Sequence, residues 1–201
     1  MYEVELKVRA DHAAVRERLA ELGAEHVERV EQADTYYDAP HRDFAETDEA
    51  LRVRRETVVS GGESASEQAT SDASGADGEP GATEARVTYK GPLVDDTSKT
   101  RREFETGVAD GETMGNVLGG LGFDPAAVVA KTRDRYRLDG YVVTLDSVAG
   151  VGEFVEVERE VPEAEVPAAR EGAFDLLDRL GLAAEETIRT SYLGMVLADE
   201  E

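Results

Sequence analysis

The sequence predicts an α+β chain built on a closed, eight-stranded antiparallel β-barrel with helices packed on its outside. Three observations carry that expectation. Eight runs read as strands, and along several of them apolar and charged residues alternate with the period of two that a strand imposes. The charged faces of these runs hold matched acids and bases, not an assortment of solvating groups. Acid-rich strands stand at both ends of the chain, where closure of a barrel brings the first and last strands together.

The first run is residues 2–9. Tyr2, Val4, Leu6 and Val8 take one face and Glu3, Glu5, Lys7 and Arg9 the other. Asp11 then caps a helix whose stripe is Val15, Leu19 and Leu22, ended by Gly23. Further strands are expected near 26–37, 50–59, 85–91, 99–106, 127–138, 141–147 and 153–161, and helices near 111–121, 163–180 and 184–198. Tyr36 and Tyr37 fall on opposite faces of a strand, and His41 in a turn after Pro40. Gly119, Gly120 and Gly122 mark a helix end and do not form a phosphate loop. The last helix, with Ile188, Tyr192, Met195 and Val196, is expected in the core or in a homodimer contact. From Ser60 to Glu84 the chain is rich in Ser, Gly, Ala, Thr and acids and has no aromatic or basic residue. Such a segment cannot bury enough apolar surface to order itself. It reads as a disordered acidic loop, 60–84, inserted in a single domain spanning 1–201.

Composition narrows the function classes. A length of 201 residues with 40% hydrophobic content suits one globular domain. No stretch approaches the roughly 18 consecutive apolar residues of a membrane span. The opening MYEVELKVRA is charged where a secretory leader is apolar, so a cytoplasmic protein with no membrane partner is expected. The absence of cysteine excludes disulfides, thiol nucleophiles and thiolate metal sites. With His12, His26 and His41 as the only histidines, any metal is a hard cation on carboxylate oxygens. A net charge of −23, spread along the chain, argues against a nucleic-acid partner and fits the acidic surface of a halophilic protein. The basic residues are 18 Arg and four Lys: Lys7, Lys90, Lys99 and Lys131.

All four lysines lie on the strands with charged faces. Glu3, Glu5 and Lys7 share a face of the first strand, and Arg52 and Arg54 a face of the third. Lys90 ends the fourth; Lys99, Arg101, Glu103 and Glu105 line the fifth, and Lys131, Arg133, Arg135 and Arg137 the sixth. Glu156, Glu158 and Glu160 line the last. Alternation alone also fits the solvated outer face of an antiparallel sheet. Three features turn the charge inward instead. The bases cluster on a few strands of an otherwise acidic chain, the acidic strands bracket the sequence, and the helices need the apolar faces to pack upon. An interior of many cations and several carboxylates is tolerable when wet and occupied. The ligand that fits is a triphosphate, held by Lys and Arg, with a divalent cation between it and the carboxylates.

At these residues the sequence resembles the CYTH superfamily of triphosphate tunnel metalloenzymes. Glu3-Val4-Glu5-Leu6-Lys7 matches the family's ExExK signature, followed by Leu51-Arg52-Val53-Arg54, Tyr89-Lys90-Gly91-Pro92 and Lys99-Thr100-Arg101-Arg102-Glu103. Lys131-Thr132-Arg133, Asp146 and Gly150 through Glu158 complete the series, which covers most of the chain; the acidic insert departs from the pattern. The segment Asp34–Phe44 leading to Glu49-Ala50-Leu51-Arg52, and the final Ser191-Tyr192-Leu193, are similar to the class IV adenylate cyclase branch.

The resemblance implies an eight-stranded tunnel. Glu3, Glu5, Asp146, Glu156 and Glu158 would serve a Mg2+ or Mn2+ site. Lys7, Arg52, Arg54, Lys90, Arg101, Lys131 and Arg133 would hold phosphates, with Glu5, Lys7, Lys131 and Arg133 carrying the chemistry. Arg102 faces away from Arg101 and is left out. The implied activity is conversion of ATP to cyclic AMP and pyrophosphate. The alternative is hydrolysis of tripolyphosphate or an organic triphosphate such as thiamine triphosphate; a third reading is a non-catalytic triphosphate-binding protein.

Overall fold

In the computed structural model, which describes residues 2–61, 80–93 and 100–199, eight antiparallel strands close into one barrel. They are β1 (Tyr2–Arg9), β2 (Glu25–Asp38), β3 (Ala50–Gly61), β4 (Thr83–Leu93), β5 (Arg101–Val108), β6 (Asp124–Leu138), β7 (Tyr141–Val148) and β8 (Gly152–Val161). Their order around the barrel is β1-β5-β4-β3-β2-β6-β7-β8. Outside the sheet run α1 (His12–Glu21), α2 (Phe44–Thr47), α3 (Gly111–Gly120), α4 (Val166–Arg179) and α5 (Tyr192–Asp199). Among the described residues, no helix is long and apolar enough to cross a membrane.

The barrel is inside-out because its strands alternate. Leu6 and Val8 of β1, Val143 and Leu145 of β7, and Val155 and Val157 of β8 face outward and pack with Val15 and Leu19 of α1 and Leu176 and Leu177 of α4. Each of these ten side chains is 2% exposed or less. Fully burying such a side chain contributes about 1.5–3 kcal/mol, so this layer anchors the sheet from outside. A second outer cluster forms where Met114 and Leu118 of α3 cover Tyr37 and Val53. The intervening residues of the same strands turn to the bore.

Closure rests on β1. It pairs with β8 over all eight of its residues, with Lys7 opposite Glu156 and Glu5 opposite Glu158. With β5 it shares two registered pairs, Tyr2↔Arg102 and Glu3↔Arg101.

Some expectations are corrected. The helix expected over 184–198 is a 3-10 turn at Ala184–Glu186, an extended link and the shorter α5. The link carries the β-branched Thr187 and Ile188, and the Ile188 N–H donates to the Lys7 carbonyl at 2.7 Å, which ties it to β1 in place of a helical turn. The bore is not charged throughout: Tyr36, Val129, Val148 and Phe154 make one end of it apolar, and Tyr192 of α5 packs on them. Ser60 and Gly61 belong to β3, and Thr83 and Glu84 to β4, so the expected loop is narrower at both ends. Residues 62–79 and Lys99 lie outside the described residues. The short α2 had no counterpart in the sequence reading.

Gly172 lets α4 lie close to the sheet. A Cβ there would come within 2.2 Å of the Tyr141 hydroxyl, which donates to the Ala169 carbonyl at 2.9 Å. Helix propensity alone favours Gly172→Ala by about 1 kcal/mol. The clash reverses the sign, and a net loss of about 1–3 kcal/mol is expected in urea unfolding.

Candidate active site in the barrel bore

The inward side chains border a cavity of about 1310 Å3. On its wall lie eleven of the twelve site residues expected from the sequence: Glu3, Glu5, Lys7, Arg52, Arg54, Lys90, Arg101, Lys131, Arg133, Glu156 and Glu158. The twelfth, Asp146, is fully buried behind Lys131 and Arg133.

The carboxylates divide into two groups. Glu3, Glu5 and Glu158 each offer an oxygen, and these atoms lie within 4.8 Å of one another. Burial, together with the Glu3, Glu156 and Glu5 charges, raises the Glu158 carboxyl to about 7 against the pull of Arg133. Asp146 and Glu156 are held by cations instead. Arg133 donates from Nε to Asp146 at 2.6 Å and from Nη2 to both Asp146 and Glu156, while Lys131 reaches Asp146 at 3.1 Å. Burial opposes the Asp146 charge, but Arg133 and Lys131 outweigh it and hold the carboxyl far below the usual range. Asp146 is therefore an anchor for cations and does not join the three-carboxylate group. Turn chemistry sets this match. Asp139 and Gly140 both take positive φ, +52° and +79°, in the two-residue hairpin loop between β6 and β7, and the resulting register places Arg133 opposite Asp146.

The cations differ in their surroundings. Lys90 sits between Glu3 at 2.8 Å and Glu103 at 2.7 Å. Burial works against its charge, but these acids raise its pKa above the ordinary lysine value. Lys131 goes the other way: burial first, then the neighbouring Arg133, lowers it to about 8 despite Asp146. Burial and the Arg133 charge both work against its ammonium, which an anion placed there would favour. Lys7 is 2% exposed, with Glu156 at 3.5 Å and Glu5 at 3.8 Å. Arg101 donates to the Asp48 carbonyl at 2.6 Å and to its carboxylate at 3.0 Å.

Sequence reasoning missed several of the residues that hold this array. Asp34 of β2, 1% exposed, accepts both Arg54 nitrogens at 2.7 Å and Arg52 at 3.3 Å. Its signal is the alternation Gln32, Asp34, Tyr36, which puts it on the inward face. Near the Glu28 end of β2, Arg135 donates to Glu28 and, at 2.6 and 3.0 Å, to Glu56, which also accepts from Gln32. The outward Arg102 stacks over the Tyr2 ring, as expected for the face opposite Arg101.

An inverted, closed antiparallel barrel with helices outside, its bore lined by buried cations and a carboxylate group, is the architecture of the triphosphate tunnel fold. The chain belongs to the CYTH domain family, whose model matches residues 1–192. A Methanocaldococcus jannaschii protein named "Putative adenylate cyclase MJ0240" is 34% identical over 195 residues, 96% of this chain and 97% of that protein. The PH1819 protein of Pyrococcus horikoshii is 35% identical with a TM-score of 0.81, over 99% of each chain. HpAC1 of Hippeastrum, named a putative adenylyl cyclase and described as having a dominant triphosphatase activity, shares the fold at a TM-score of 0.59 and 19% identity, over 98% of this chain and 95% of that one.

The Arg135 network gives a pH signature. Burial would raise the Glu56 carboxyl, but Arg135 and Gln32 bring it from 4.5 down to about 2. A depressed acid stabilises the fold fully above its unfolded pKa and loses that contribution as pH falls toward the folded one. Glu56→Gln is expected to cost up to about 3 kcal/mol at neutral pH. The difference from the parent protein should shrink between about pH 4.5 and pH 2, as followed by urea unfolding.

Proposed function

We propose that this protein is a metal-dependent enzyme acting on the triphosphate of a nucleotide, and within that class an adenylate cyclase converting ATP to cyclic AMP and pyrophosphate. The observation that carries the reading is the convergence of Glu3, Glu5 and Glu158 on the same wall as Lys7, Lys131 and Arg133. The match to "Putative adenylate cyclase MJ0240", over 96% of this chain and 97% of that protein, supports the choice of reaction.

The carboxylate group fits a hard divalent cation. All its donors are oxygens, and Glu158 is raised by burial first and then by its acidic neighbours, both of which such a cation would offset. Glu3, Glu5 and Glu158 would hold Mg2+ or Mn2+, which supplies Lewis-acid polarisation of a phosphate oxygen. Asp146 and Glu156 move from the expected ligand set to a positioning role, because Arg133 and Lys131 occupy them.

The bore residues do the rest. Arg52 and Arg54, fixed by Asp34, and Arg133, fixed by Asp146, present guanidinium groups that need no reorganisation when phosphate charge arrives. Lys7, Lys90, Lys131 and Arg101 complete the cationic wall. In the cyclase reaction the ribose 3′-oxygen bonds to the α-phosphorus, the bond to pyrophosphate breaks in line, and the hydroxyl proton passes to solvent. The cations stabilise charge on the departing pyrophosphate. The second reading, triphosphate hydrolysis, uses the same wall with water as nucleophile; it is supported by the fold shared with HpAC1, described as having a dominant triphosphatase activity.

The deciding experiment incubates the protein with ATP and, separately, with tripolyphosphate, each with Mn2+, and identifies products. Cyclic AMP plus pyrophosphate is expected. Orthophosphate from both substrates, without cyclic AMP, would replace the cyclase with the triphosphatase. Glu5→Gln and Glu158→Gln should each reduce turnover at least about 100-fold, near 2.7 kcal/mol, while circular dichroism stays unchanged. Parental rates in both variants at saturating Mn2+ would refute the metal site.

The lysines give a separate prediction. A guanidinium is larger than an ammonium and differently directed. Lys7→Arg and Lys131→Arg should each cut turnover at least about tenfold, roughly 1.4 kcal/mol, although charge is kept. Arg18→Lys, on the exposed side of α1, serves as the control with little effect. Steady-state kinetics on the three variants checks it.

A further inference from the structure

Tyr192 opens α5 at the apolar end of the bore and is 7% exposed. Two of the bore lysines pack on its ring: the Lys7 ammonium lies 4.1 Å from the ring centroid and the Lys131 ammonium 4.9 Å. Phe154 meets the ring edge-on at 5.1 Å, and Val129 and Val148 belong to the same cluster. The Tyr192 hydroxyl is buried and has no hydrogen-bond partner among the described residues.

An unpaired buried hydroxyl costs about 1–3 kcal/mol. Phenylalanine would keep the ring contacts with Phe154, Lys7 and Lys131 without that penalty, so nothing in the packing accounts for the oxygen. The ring borders the same cavity as the phosphate-directed lysines. Burial, with Glu156 and Asp146 nearby, holds the phenol well above its ordinary pKa, so the oxygen keeps its proton.

We propose that Tyr192 is a third donor of the lysine site, its hydroxyl giving a hydrogen bond to a phosphate oxygen attracted by Lys7 and Lys131. The assignment rests on the phosphate-binding reading of those lysines. It makes α5 part of substrate recognition as well as the cover of the bore. A donor to a charged oxygen is worth more than a neutral pair, and its loss falls on binding.

The test is Tyr192→Phe, with calorimetric titration of tripolyphosphate in EDTA so that turnover is off, and thermal unfolding in parallel. The expected result is a dissociation constant raised about tenfold, with a melting temperature equal to or above the parent's. Affinity within twofold of the parent overturns the proposal. So does a lowered melting temperature, which would mean that the hydroxyl serves the fold. Lys131→Gln is titrated beside it. Unchanged affinity there refutes the phosphate site itself, and the role of Tyr192 with it; weakened affinity in Lys131→Gln alone leaves the phosphate site standing and rejects only the tyrosine.

Discussion

Charge inside a barrel is tolerated when each cation meets an acid, and this balance organises the structure. Removing one partner of a buried pair costs about 3–5 kcal/mol, because the other is left uncompensated in a poorly polarisable interior. The pairs are made across strands. Arg54 takes Asp34 from β2, Arg133 takes Asp146 from β7, Lys90 takes Glu103 from β5, and Lys7 lies opposite Glu156 of β8. A one-residue slip in any strand would exchange its charged face for its apolar one. The electrostatics of the bore and the hydrophobic layer under the helices therefore enforce the same register.

The balance is incomplete where ligand chemistry is expected. Burial, then the charges of Glu3, Glu156 and Glu5, disfavours an ionised Glu158; burial, then the charge of Arg133, disfavours the Lys131 ammonium. A divalent cation would answer the first region and a phosphate the second. Glu158 and Lys131, whose shifts disfavour their charged forms, mark places where the protein leaves part of the neutralisation to something else. The fully compensated pairs, such as Arg54 with Asp34, are rigid supports.

Strand existence and facing were legible because alternation is a local property: the Glu3-Glu5-Lys7 face needs no tertiary information. What acid meets which cation was not legible, since it depends on register. The β6–β7 register follows from the positive φ angles at Asp139 and Gly140, and that register takes Asp146 away from the carboxylate group and gives it to Arg133. Asp34 stayed hidden because Gln32 and Thr35 around it read as an ordinary polar stretch. The 184–198 segment misled for a physical reason: Ile188, Tyr192 and Met195 have helical spacing, yet Ile188 is held extended by the Lys7 carbonyl. The four-residue α2 is too short for periodicity to register.

The seam between β1 and β8 has a consequence for how the molecule comes into being. Glu3, Glu5 and Lys7 precede Glu156 and Glu158 by more than a hundred residues, so synthesis delivers β1 well before β8. Until then the nascent β1 has no registered neighbour along most of its length, because β5 offers it two positions. Contacts so distant in sequence form slowly. The waiting strand alternates apolar and charged residues, which discourages pairing with other chains through its edge. The carboxylate group is complete only when Glu158 of β8 lies beside β1, so a chain interrupted before β8 would hold Glu3 and Glu5 without their third partner.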